Sequence, residues 1–73
     1  MMKLRVEFDR EADGRWIVEV VKMPRVGGFV AYGETREEAY EGATALALRV
    51  VAERIELKEL SPAEILPLSF ETA

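Results

Sequence analysis

Three carboxylates, Glu7, Asp9 and Asp13, sit close together near the start of the chain. Acids that converge on one point can hold magnesium and activate water, as metal-dependent nucleases require. Their placement argues against that use. Glu7 and Asp9 fall on the polar side of an alternating run, and Asp13 stands directly before Gly14, where it serves a turn. No further acid is placed to complete a metal site. Ser61 reads as a helix cap and Ser69 as a strand residue. The sequence contains neither histidine nor cysteine to serve as base, ligand or thiolate. Gly27, Gly28 and Gly33 match neither the phosphate-loop pattern nor a glycine-rich turn opening a helix. They allow a turn and a close backbone approach instead. No catalytic group, metal or cofactor is expected, and the chain reads as a binding protein, not an enzyme.

A second constellation is basic and aromatic. Arg5, Arg10, Arg15 and Arg25 lie in the same stretch as Trp16, Phe29 and Tyr32, and rings on a sheet can stack bases. Yet Glu7, Asp9 and Glu19 are interleaved with them, and the chain carries a net charge of -4. A surface that grips phosphates is normally basic, because each contact places a cation against the backbone and releases counterions. A basic protein partner is therefore the first reading. A nucleic-acid module using Arg5, Arg15, Arg25 and Tyr32 is the second.

The elements that position these residues follow from periodicity. From Lys3 to Asp9, Leu4, Val6 and Phe8 alternate with Lys3, Arg5, Glu7 and Asp9, a strand with one wet face. Asp13-Gly14 supplies the positive φ of a hairpin turn. Arg15 to Met23 is a second strand, apolar on nearly both sides, as expected of a central strand covered on both faces. Pro24 ends it, Arg25 to Gly28 form a loop, and Phe29 to Tyr32 make a short third strand closed by Gly33. Thr35 then opens the one long helix, with Glu38 completing a capping box and Glu34, Glu37 and Glu38 complementing the helix dipole. The helix extends to Glu56. Ser61-Pro62 starts one further turn, and Leu68 to Phe70 form a short fourth strand on an edge, where Pro67 is tolerated. The fold class is α+β: a three-stranded antiparallel sheet, β-β-β-α in order, one long helix on one face, and a short fourth strand after it.

The helix has two apolar stripes. Ala39, Ala43, Leu46, Ala47 and Val50 form one, whose small residues let a helix approach a sheet closely. Tyr40, Thr44, Leu48, Val51 and Ile55 form the other. Together they span more than the roughly 100° needed to cover one sheet. Either the C-terminal tail covers the second stripe, or Tyr40, Leu48, Val51 and Ile55 form an oligomer interface. The size of the chain favours association. The sequence is read as a single domain over residues 1–73, and a core of that size supplies only roughly 3–5 kcal/mol. With no cysteine to form disulfides, a dimer or tetramer is expected. Apolar residues at 49% and charged residues at 33% describe a folded domain, not a disordered segment. No apolar run approaches the about 18 residues of a membrane span. The first residues alternate like a strand and lack the apolar run of a signal peptide, so a cytoplasmic location is expected. Asn and Gln are absent while Glu, Arg and Lys abound, a balance usual in thermophile proteins.

From Asp13 to about Glu53 the order of these pieces resembles the HicB family of antitoxins. The residues that carry the resemblance are Asp13-Gly14, then Trp16-Ile17-Val18-Glu19-Val20, then Pro24 opening a glycine-containing loop. After them come the short strand ending in Gly33 and Gly33-Glu34-Thr35-Arg36-Glu37-Glu38-Ala39 leading into an Ala-rich helix. The resemblance implies a partial ribonuclease-H-like fold without nuclease chemistry. It also implies oligomers, and a partner: a small basic HicA-type RNase toxin whose catalytic histidine is masked. An acidic domain suits such a partner. The expected partner-binding residues are Arg25, Val30, Tyr32, Glu34 and Glu37. The chain departs from the family at Met23-Pro24-Arg25-Val26-Gly27-Gly28, where a Leu-Pro-Gly-like loop is usual. It stops at Ala73, where most members continue into a DNA-binding domain, so no repression through DNA is expected.

Overall fold

The computed structural model describes residues 1–21 and 28–72. In chain order these form β1 (Met2–Arg10), β2 (Trp16–Val20), β3 (Phe29–Gly33), α1 (Arg36–Glu56), the single turn α2 (Pro62–Ile65) and β4 (Leu68–Thr72). The strands lie in the order β3-β2-β1-β4. β1 to β3 form an antiparallel meander, whereas β4 runs parallel to β1, with Met2 opposite Leu68 and Val6 opposite Thr72. The architecture is thus α+β with a mixed sheet and one long helix. Among the described residues no helix is long and apolar enough to cross a membrane.

Alternation dictates β1. Met2, Leu4 and Val6 are buried and Lys3 and Arg5 exposed. Burying each large aliphatic side chain stabilises the fold by about 1.5–3 kcal/mol. The hairpin to β2 is closed as its Asp-Gly pair predicts. Gly14 adopts φ +93°, its amide donates to the Glu11 carbonyl at 2.9 Å, and the Glu11 amide donates to the Arg15 carbonyl at 2.8 Å. A side chain at Gly14 would be held in the left-handed region, where L residues are strained. β2 is shorter than its sequence predicts. It ends at Val20, although the Val21 amide still donates to the Arg5 carbonyl at 2.9 Å; Lys22 and Met23 lie outside the described residues.

α1 begins where its cap predicts. The Thr35 Oγ1 accepts from the Glu38 amide at 3.1 Å. The reciprocal bond is shifted by one residue: the Glu38 carboxylate accepts from the Glu34 amide, at 3.2 Å, instead of from that of Thr35. The helix lies over β3 and β2. Its contact row is Ala39, Ala43, Ala47 and Val51, all buried. These recur every fourth residue, one ridge of the helix surface. Gly33 makes the approach possible. A β carbon there would stand 2.5 Å from the Ala39 nitrogen and 2.9 Å from the Glu38 Cβ.

The rest of that sheet face is covered by the tail. Leu60 and Ile65 are buried in the core, with Leu68 and Phe70 packed against it. Of the four residues expected at an oligomer interface, Val51 belongs to the core row. Tyr40 and Ile55 are half-buried against the core, Tyr40 with its ring 5.8 Å from that of Phe8. Leu48 is the one left exposed, at 45%. The second stripe is therefore largely occupied within a single chain, because the helix seats along one ridge and β1 and the tail take up its flank.

Candidate functional site

The sheet has a second face, and among the described residues no element packs over it. The register fixes its composition. Asp9 lies opposite Ile17 and Ile17 opposite Tyr32; Glu7 lies opposite Glu19 and Glu19 opposite Val30. On the far side Lys3 and Arg5 lie opposite Ser69 and Glu71 of β4. Two ion pairs tie this outer half, Lys3 to Glu71 at 3.4 Å and Arg5 to Glu7 at 3.5 Å. The half toward β3 is apolar apart from Glu19. Val30 and Tyr32 are 46% and 50% exposed, and Ile17 is half-buried beside them. β2 was expected to be covered on both faces. It is covered on one, and the exposed Glu19 within its apolar run marks the wet side.

The expected partner-binding residues separate into groups. Val30 and Tyr32 share the open face, on β3 at the edge of the sheet. Glu34 follows at the end of β3, exposed, and lines a small depression with Asp13, Gly14 and Arg15. Glu37 lies in the first turn of α1, on the opposite side of the sheet from Val30 and Tyr32. Arg25 lies outside the described residues. Missing from the expected set are Ile17 and Glu19, which the pairing register places directly beside Val30 and Tyr32. A charged residue at the middle of a β-branched strand was the signal that could have found them.

The carboxylates do not converge. Glu7 and Asp9 are on the open face, whereas Asp13 is engaged in the turn. It accepts from the Arg15 amide at 3.0 Å and from the Arg15 Nε at 2.8 Å. The amide bond above all, with the guanidinium in support, holds its carboxyl below the usual 3.8. Among the described residues no group of three or more His, Cys, Asp or Glu could hold a metal ion.

Of the arginines in the basic constellation, the three within the described residues are likewise engaged. Arg5 pairs with Glu7, and Arg15 lies over the Tyr32 ring at 4.9 Å besides bonding Asp13. Arg10 sits 5.0 Å over Trp16 and donates to the Gly14 carbonyl at 3.1 Å. Arg36, which the sequence did not single out, stacks 3.8 Å over Phe8. Each of these four is engaged with a ring, a carbonyl or an acid already present.

Comparison of the chain with protein-family models, with curated proteins and with solved structures finds no match in any of the three.

Proposed function

We propose that this chain is a non-catalytic, HicB-like protein-binding domain that masks a small basic RNase toxin of the HicA type. The observation that carries the reading is the uncovered sheet face, where exposed Val30 and Tyr32 border acidic strand residues. Apolar side chains left in water beside carboxylates are what a basic partner protein would cover. The order β-β-β-α followed by a further strand is the arrangement the resemblance implies, and the net charge of -4 supports a basic partner. In this reading the domain is cytoplasmic and self-associates, with Leu48 at or near the contact.

The test is a tagged capture from native lysate followed by mass spectrometry. The expected result is a small, basic, histidine-containing protein in stoichiometric amount, whose RNA cleavage the chain suppresses on mixing. Recovery of the chain alone, or of a protein whose activity it leaves unchanged, overturns the reading. Self-association is read separately by light scattering. A Leu48→Glu variant should lower the mass to that of a monomer, and a wild-type chain that is already monomeric at micromolar concentration overturns that part.

A nucleic-acid module is the second reading. The stacking of Arg10 on Trp16 and Arg15 on Tyr32 at one end of the sheet favours it. A salt-dependent RNA mobility shift that is lost in Tyr32→Ala would favour it over the first.

A further inference from the structure

The middle of the open face holds an electrostatic conflict. Glu7 and Glu19 are direct cross-strand partners, both pointing away from the core. Like charges in that relation destabilise a sheet. Arg5, 3.5 Å from Glu7, offsets one of them. Glu19 has no ion-pair partner among the described residues. Between the two strands Glu7, Asp9 and Glu19 border a shallow depression that Ile17 and Phe8 also line. Next to it, across β2, stand the exposed side chains of Val30 and Tyr32. The face therefore combines a carboxylate pair, of which Arg5 offsets one member and no ion pair among the described residues the other, with an adjoining apolar shelf.

We infer that this depression receives a lysine or arginine side chain of a partner protein, with flanking apolar residues of that partner resting on Val30 and Tyr32. A long basic side chain fits both halves. Its alkyl stem lies along Ile17 while its charged end meets Glu7, Asp9 and Glu19. Charge complementarity selects the occupant: an acidic partner would add a further like charge to an existing conflict, whereas a cation removes it. The inference rests on the protein-binding reading above and specifies the surface and the partner's chemistry.

The probe is a synthetic peptide alternating lysine and valine, titrated into the isotope-labelled chain and followed by amide chemical shifts. A matched peptide with glutamate for lysine is the control. Saturable shifts confined to β1, β2 and β3 are expected with the lysine peptide, weakened about tenfold in a Glu7→Gln/Glu19→Gln variant and reduced by added salt. They should persist in a Glu41→Gln/Glu56→Gln variant, which alters exposed acids of the helix layer. Shifts that survive the first variant and vanish in the second overturn the assignment of the surface and leave protein binding intact. Absence of saturable shifts overturns the inference itself. The lysate capture described above then decides independently whether a basic partner exists. Both variants replace exposed carboxylates by isosteric amides, and a thermal melt confirms that each is folded.

Discussion

The two faces of the sheet are built from the same strands and meet opposite surroundings. On the helix side Leu4, Val6, Val18 and Val20 are fully buried, and the side chains above them are mostly alanine. On the open side the same strands carry Arg5, Glu7, Ile17 and Glu19, with like charges set against each other and valine and tyrosine left in water. One face is built for stability and the other is not, which is why the proposed binding surface is placed on the second. Proteins retain locally unfavourable arrangements mainly where function requires them.

Several substitutions sharpen or break that contrast. The largest effect is expected from paired truncations. Leu4→Ala should cost about 2–5 kcal/mol through lost burial and a residual cavity, while Val30→Ala should stay within about 0.5 kcal/mol, as surface changes do. Comparable losses at both sites, read from denaturant midpoints, would mean the open face is covered in solution. Gly33→Ala should come next, at about 1–3 kcal/mol, because the added carbon meets the backbone of the helix's first turn. A mild effect there would mean the helix can lift from β3 without loss.

Glu19→Gln should go the other way. It relieves the opposition to Glu7 and should stabilise by about 0.2–1 kcal/mol, seen as a higher urea midpoint at unchanged slope. Destabilisation would show that Glu19 has a compensating partner. The smallest effect concerns Asp13, whose carboxyl is held below 3.8 by the Arg15 amide first and the guanidinium after it. A depressed acid favours the folded state at pH above its unfolded value. That contribution is lost as pH falls from about 3.8 through the lower folded value. A carbon-detected titration should place Asp13 below the ordinary aspartate value of 3.8. Arg15→Ala should raise it only in part, since the backbone amide remains.

Most of the scaffold was legible because it depends on local rules. Leu4 and Val6 alternate with charges, Asp13-Gly14 makes a turn, and Thr35 caps a helix. Each of these is decided within a few residues. What the sequence did not show depends on contacts between distant segments. That β4 runs parallel to β1 is a matter of how the tail returns across the fold, and no periodicity encodes it. The assignment of Val51 to the core, not to an outer stripe, follows from which helix ridge meets the sheet. Val30 and Tyr32 were singled out on their own merits, but their neighbours Ile17 and Glu19 were not. Strand register places them together, and register is invisible until the strands are paired.

The parallel seam between β1 and β4 has a temporal consequence. β1 opens the described chain and β4 closes it, joined from Met2 opposite Leu68 onward and reinforced by the Met1 amino group donating to the Glu64 carbonyl at 3.1 Å. During synthesis β1, β2, β3 and α1 emerge in the order in which they pack, each against something already made. β1 nevertheless keeps one bare edge until β4 has been made. Such an edge is a template for pairing with any extended segment nearby. Docking of β4 therefore moves that edge from the long β1 to the shorter β4, and the sheet's open edges become those of two five-residue strands.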